Sequence, residues 1–296
     1  MAIQQRFDTD ESISLSEFVE YAARNTDFAD QDSQLALGEQ LTMLGNNRSF
    51  LTDFFGEFVE KNLHAAHVEG TISQAFLLAL GTNFYLRGAF WLPDSELRGN
   101  ESVLYAYHQA HDHNFDFLSY AYCGSGYTTD LYEYDYASTV GYVGERVKLR
   151  PLGKHHHRTG DVLFYRCNQD IHFQRPPETP SITINVIPLV NQHGLKDQYF
   201  FDIAAGDSEE GTIYRHAESN IESRRTLFDI VKHFRSPKIS RVLAEFAESY
   251  DCQRSRFQAL RALQMSDPST HKDVCERLAG DSSALVRHHI ATAQAA

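Results

Sequence analysis

Apolar positions recur with two different periods along this chain, and the period changes twice. Leu51, Phe54, Phe55, Phe58 and Val59 fall at i, i+3, i+4, i+7 and i+8, one stripe of an amphipathic helix whose polar side carries Asp53, Glu57 and Glu60. Ser14-Leu15-Ser16-Glu17 has capping-box spacing, so a helix should begin there. A further helix is predicted over 71–80, which makes residues 1–83 a helical lobe. The run FYLRGAFW from Phe84 turns towards strand and reads as core packing, because aromatic side chains dominate cores. From there to 205, short β-rich runs at regular spacing with Gly and Pro turns predict a barrel or sandwich. Residues 206–296 return to the helical period: Ser236 before Pro237 reads as a helix start. Ile239, Val242, Leu243, Phe246 and Tyr250 then form a stripe. Asp267-Pro268 and Gly280-Asp281 divide the remainder into further helices.

The strand pattern brings histidines with it. On an extended strand His111 and His113 share a face while Asp112 looks the other way, so two neutral imidazoles can meet one metal ion. Residues 116–122, the turn Cys123-Gly124-Ser125-Gly126 and residues 127–135 read as a hairpin. Gly160-Asp161-Val162-Leu163-Phe164-Tyr165 then leads to Ile171-His172, a third imidazole after a second hairpin, and residues 181–187 supply another strand.

These residues resemble the two motifs of the cupin superfamily, His-x-His in the first and a Gly-Asp-Val-like segment leading to a histidine in the second. The resemblance covers the central third of the chain and implies an α+β fold: a central cupin-like β-barrel over 84–205 with helical N-terminal and C-terminal lobes. It implies a metal held by His111, His113 and His172. The position of the usual cupin glutamate holds Asn114-Phe115-Asp116-Phe117, so Asp116 is either a ligand through a local bulge or no ligand at all. Strict alternation favours three histidines only. Asp116 or Glu133 remains open as a fourth ligand or as an acceptor behind a ligand. Tyr165 is expected to line the cavity with Tyr122 and Tyr134. Arg175 and Arg166, which flank His172, could clamp a substrate carboxylate.

Three imidazoles leave open positions on a ferrous ion, which points, with the resemblance, to a mononuclear non-haem iron oxygenase. Its nearest analogy is the three-histidine thiol dioxygenases, and its partners would be O2 and a small-molecule substrate. Fe2+ is the expected cofactor, with another divalent metal as the alternative. The oxoglutarate-dependent oxygenases fit less well, since they need His-x-Asp or His-x-Glu where this chain has His111-Asp112-His113. A different class stays open: a non-catalytic ligand-binding or regulatory cupin whose helical lobes contact another protein.

Several other histidines read as surface or capping groups. His64 and His67 sit at i, i+3 but lack the carboxylates of a di-metal helical site. His155-His156-His157 falls in a stretch predicted to be a solvated loop, and His288-His289 is predicted to be surface. The last stretch, CERLAGDSSALVRHHIATAQ, resembles a single HEAT-type helical unit, and one unit cannot bury its face as a solenoid.

Composition narrows the classes further. The chain has 296 residues, 42% hydrophobic and 23% charged, and a net charge of −13, which argues against nucleic-acid and anionic-membrane partners. No apolar run is long enough to span a bilayer, and the acidic N-terminal stretch lacks a secretion signal's apolar centre. Four scattered cysteines without CxxC spacing read as reduced thiols, so a cytoplasmic location is expected. The pattern leaves a homodimer open.

Overall fold

The structure, a computed structural model, describes residues 2–62, 71–72, 74–99, 101–189, 195–204, 208–217 and 220–294. Its elements in chain order begin with β1 (Ile3–Gln5), α1 (Leu15–Asn25), α2 (Gln31–Asn46) and α3 (Phe50–Asn62). There follow β2 (Thr71–Ile72), β3 (Ala75–Leu80), β4 (Phe84–Trp91), α4 (Glu101–Leu104), β5 (Ala110–His111), β6 (Phe117–Cys123) and β7 (Tyr127–Glu133). Then come β8 (Arg146–Lys148), β9 (Arg150–His157), β10 (Val162–Tyr165), β11 (Asp170–Gln174), β12 (Ser181–Pro188), β13 (Tyr199–Ile203) and β14 (Glu210–His216). The chain closes with α5 (Asn220–Val231), α6 (Pro237–Ser249), α7 (Gln253–Ser266), α8 (Pro268–Arg277) and α9 (Ala284–Gln294). The fold class is α+β, and the chain divides into two compact units, Met1–Glu133 with Arg150–Val190 and Tyr134–Leu149 with Asn191–Ala296. Among the described residues, no helix is long and apolar enough to cross a membrane.

In the first unit, β1-β10-β6-β12-β4-β3-β2 form one antiparallel sheet, and β5-β11-β7-β9 are hydrogen-bonded neighbours in a second. Side chains alternate across the first sheet, so its two faces hold different cores. Leu86, Leu118, Tyr120, Val162, Phe164, Ile184 and Val186 pack against α1, α2 and α3 through Phe18, Leu41, Leu44 and Leu51. The intervening residues Phe117, Leu163, Tyr165 and Ile187 meet Leu131 of the second sheet. α2 comes very close: a Cβ on Gly45 would lie 2.0 Å from the Tyr120 ring, so only glycine permits this approach. The capping box at the start of α1 forms as the spacing predicts, with Glu17 N donating to Ser14 Oγ at 3.2 Å and Ser14 N to Glu17 Oε2 at 2.7 Å.

The stretch 71–80 is not helical. β2 and β3 pair as a hairpin, and β3 pairs with β4 from Ala75↔Ala89 to Leu80↔Tyr85. A short apolar run such as AFLLAL fits either period, and the neighbouring strand decides between them. Strands also lie outside 84–205, with β1, β2 and β3 before it and β14 after it. The 123–126 turn stands as predicted: Gly124 and Gly126 have φ of 91° and 71°, a region that costs glycine nothing.

In the second unit, β8, β14 and β13 form an antiparallel ladder, and α5, α6, α7, α8 and α9 bury a cluster around Leu243, Ala247, Leu260, Leu263 and Val274. Pro237 opens α6 as predicted, although Ser236 makes no side-chain capping bond. Asp267 caps α8 by accepting from Thr270 N at 3.1 Å. Arg254 on α7 donates to Asp197 Oδ2 at 2.8 Å, and both side chains are buried.

Candidate active site

The three histidines of the two motifs converge. β11 pairs with β5 so that His172 stands directly opposite His111, which puts both imidazoles on one face of that sheet. His113 arrives differently from the way alternation predicts, because β5 ends at His111. The loop after it is fastened instead to the loop before β11: Asn168 N donates to the His113 carbonyl at 2.7 Å, Asn168 Nδ2 to Asp112 Oδ2 at 2.9 Å, and Cys167 N to Asp116 Oδ1 at 2.6 Å. His172 Nε2 then lies 2.9 Å from His111 Nε2 and 3.1 Å from His113 Nε2.

This donor set fits a divalent cation. A carbonyl can only accept, so the 2.8 Å contact of His111 Nδ1 with the Gln109 carbonyl puts the ring proton on Nδ1 and the lone pair on Nε2. The Nδ1 atoms of His113 and His172 are sealed from solvent and have no hydrogen-bond partner among the described residues. Burial holds the His113 and His172 imidazoles well below their ordinary pKa, and the neighbouring His111 pushes each further down, so both are neutral at pH 7. Ligands about 2.1 Å from one ion and at right angles to each other lie about 3.0 Å apart, close to the two measured Nε2 separations. Once such an ion is held, the three lone pairs share one partner.

The other residues singled out by sequence fall in distinct places. Tyr165 lines the interior: its ring centre is 4.9 Å from that of His172, it stacks on Phe117, and its hydroxyl lies 3.4 Å from that of Tyr127. Burial raises the Tyr165 pKa well above its ordinary value, so the hydroxyl keeps its proton. Asp116 holds the Cys167 amide, as noted. Glu133 is engaged by Arg150 and by Arg166, whose Nη2 is 3.2 Å from Glu133 Oε1 and 2.6 Å from Asp170 Oδ1. Arg166 therefore braces the β7–β11 ladder. Arg175 follows Ile171 and Phe173 on the face of β11 opposite His172; it pairs with Asp130, and its guanidinium lies over the Phe173 ring. Tyr122 faces α3 and donates to the Arg48 carbonyl at 3.0 Å, while Tyr134 packs on Phe201 in the second unit.

His155, His156 and His157 are not in a solvated loop. They close β9, paired with Thr129, Thr128 and Tyr127. His157 is fully buried and its Nε2 lies 3.2 Å from Ser119 Oγ. An imidazole suits either face of a strand, so HHH carries no alternation signal, and the partner strand lies more than twenty residues away. His64 and His67 lie outside the described residues.

Sequence reasoning missed the polar end of the interior. Arg87 on β4, Asn185 on β12 and Ser119 on β6 form one row across the first sheet, on the face of Phe117 and Tyr165. Arg87 Nε, Asn185 Oδ1 and Gln174 Nε2 are each sealed from solvent, with no hydrogen-bond partner among the described residues. Gln174 shares the face of His172 on β11, two residues along. Burial pulls the Arg87 guanidinium below its ordinary pKa, opposed by Tyr85 and Tyr127, and Arg87 in turn helps depress His113. The available signal was one arginine at an inward position of the apolar strand FYLRGAFW.

No family model matches the chain, and no curated protein matches it in sequence. Among solved structures it is similar to acireductone dioxygenase from Bacillus anthracis with a cadmium ion in its active centre, at 9% identity over 64% of this chain and 79% of that one, TM-score 0.26. It is also similar to a cupin domain from Bordetella pertussis, at 11% identity over 39% and 92% of the two chains, TM-score 0.18. A third is hydroquinone 1,2-dioxygenase from Sphingomonas sp. TTNP3 with 4-hydroxybenzoate bound, at 9% identity over 42% and 70%, TM-score 0.21.

Proposed function

We propose that the chain is a mononuclear non-haem iron oxygenase of cupin type that acts, with O2, on a small organic acid. The observation that carries this reading is the convergence of three imidazoles at 2.9 and 3.1 Å, beside sealed polar atoms that have no hydrogen-bond partner among the described residues. His111, His113 and His172 would hold the metal. When bound, a ferrous ion supplies the redox chemistry that O2 needs, with positions left open by a three-histidine set.

The protein's own side chains do the rest. The Arg87 side chain is half-buried, and its sealed Nε has no hydrogen-bond partner among the described residues, which is costly; a substrate carboxylate would satisfy it while Asn185 and Gln174 orient the remainder of the molecule. Arg87 thus takes the role that the sequence suggested for Arg175, whose charge is matched by Asp130. Phe117 and Tyr165 exclude water from the histidines, and the protonated Tyr165 hydroxyl can donate to an anionic substrate oxygen. Asp116 and Glu133 act as positioning residues, one for the loop before β11 and the other for its ladder. Four free thiols fit a cytoplasmic setting.

The test is anaerobic reconstitution with ferrous ion, metal analysis, and oxygen uptake over a panel of small carboxylic acids, with His172→Ala beside the parent. One iron per three-histidine site and acid-dependent oxygen uptake, both lost in the variant, are expected. Iron retained with full turnover in His172→Ala would overturn the ligand assignment. Tight acid binding without oxygen uptake would favour the non-catalytic, regulatory reading.

A further inference from the structure

The second unit holds a cluster of donor atoms that the proposed reaction does not use. His271 and Cys275 stand at i and i+4 on α8, one above the other on the same helix face, and His289 comes from α9. All three are buried, with exposures of 7%, 5% and 6%, so His289 is not the surface residue that the terminal His288-His289 pair suggests. Their ligating atoms lie within 4.8 Å of one another. His271 Nε2 is 3.1 Å from His289 Nε2 and 3.3 Å from Cys275 Sγ. The surroundings are apolar: Val274, Leu278, Val286 and Ile290 belong to the same buried cluster as Cys275.

Hydrogen bonding explains this grouping poorly. In a neutral ring Nε2 is either a donor or an acceptor and makes one well-aligned bond, yet here two neighbours crowd the same nitrogen. Two nitrogens and a sulfur around one point form a borderline-soft donor set. Around a tetrahedral zinc ion, with Zn–N about 2.0 Å and Zn–S about 2.3 Å, ligand atoms sit roughly 3.3 to 3.6 Å apart, near the separations measured here. Two residues at i and i+4 on one helix with a third from elsewhere is also a spacing by which helices bind zinc.

We propose that His271, Cys275 and His289 form a second metal site that takes one Zn2+ ion and ties α8 to α9. As the Sγ–Zn bond forms, the thiol proton leaves to solvent; no electron is transferred, and about one proton is released per ion. Among the described residues no fourth histidine, cysteine or carboxylate joins the group, so the remaining position falls to a water molecule.

Cobalt(II) is the probe, since a thiolate bound to cobalt gives a near-ultraviolet charge-transfer band that an all-histidine centre cannot produce. The full-length protein titrated with Co2+ should develop this band, and Zn2+ should displace it. Cys275→Ser should abolish it, whereas Cys167→Ser and His172→Ala should retain it. Cys275 is a core residue, so circular dichroism accompanies each variant. His289→Gln, which keeps the thiol, should weaken cobalt affinity at least about tenfold. A parent without the band, a band surviving Cys275→Ser, or unchanged affinity in His289→Gln would each overturn the site. The outcome is independent of the three-histidine centre, which contains no sulfur.

Discussion

Asn168 donates from Nδ2 to Asp112 Oδ2 at 2.9 Å, and it does so from the left-handed region, at φ 51°. Asp112 is fully buried, so this bond joins the loop that carries His113 to the loop that leads into His172 inside the protein. The three-histidine cluster is thus held from behind by side chains that face away from it. Asparagine suits the position twice: its short amide tolerates the left-handed backbone and reaches the carboxyl group.

Replacing Asn168 by alanine removes both properties. We expect a loss of about 2 to 3 kcal/mol in urea unfolding and a tenfold or greater drop in metal retention. Asn168→Gly restores the backbone freedom but not the bond, so it should recover part of the stability and little of the metal affinity. A variant with parent-like metal retention would show that the loop does not need this tie.

Arg87→Met separates binding from folding. Removing a half-buried guanidinium whose sealed Nε has no hydrogen-bond partner among the described residues should leave stability unchanged or raise it by about 1 kcal/mol. The same change should raise KM for a carboxylate substrate at least about tenfold with metal content unaltered, since a charge-assisted bond contributes about 1.5 to 3 kcal/mol. Equal KM values would remove Arg87 from the substrate pocket.

Acid sensitivity follows from His157. Burial, reinforced by His155 and His156, pushes its pKa down to about 3, against about 6.5 in an unfolded chain. The unfolded state therefore binds more protons between these values. The stability contribution is whole above pH 6.5 and is lost as the pH falls towards 3, at about 1.4 kcal/mol per pH unit. Urea midpoints between pH 6 and 4 should fall more steeply for the parent than for His157→Gln, by about that slope.

Gly45→Ala tests the seat of α2 on the first sheet. Alanine gains about 1 kcal/mol of helix propensity, but its methyl group would overlap the Tyr120 ring unless the helix or the ring moves. A net loss of about 1 to 2 kcal/mol is expected in thermal or urea unfolding. A stabilised variant would mean that the ring turns aside freely.

Local chemistry was legible in the chain. The capping box at Ser14 and Glu17, the α3 stripe from Leu51 to Phe58, the glycine turn at 123–126 and the strand after Gly160 each depend on residues within one or two turns of each other. His111 and the later His172 could be brought together for the same reason, since spacing along a strand fixes which face a side chain takes. Tertiary structure decided what depends on partners far along the chain. AFLLAL became β3 because β4 lies beside it, and the triple histidine became the end of β9 because β7 pairs with it. His113 reaches the other two imidazoles through Asn168 rather than through strand alternation. Arg87 and Arg175 look alike as sequence, one charge among aromatic neighbours. Only the fold shows that Arg175 meets Asp130 while Arg87 turns its Nε inward, sealed from solvent and without a hydrogen-bond partner among the described residues, because burial and pairing are properties of what surrounds a residue and not of the residue itself.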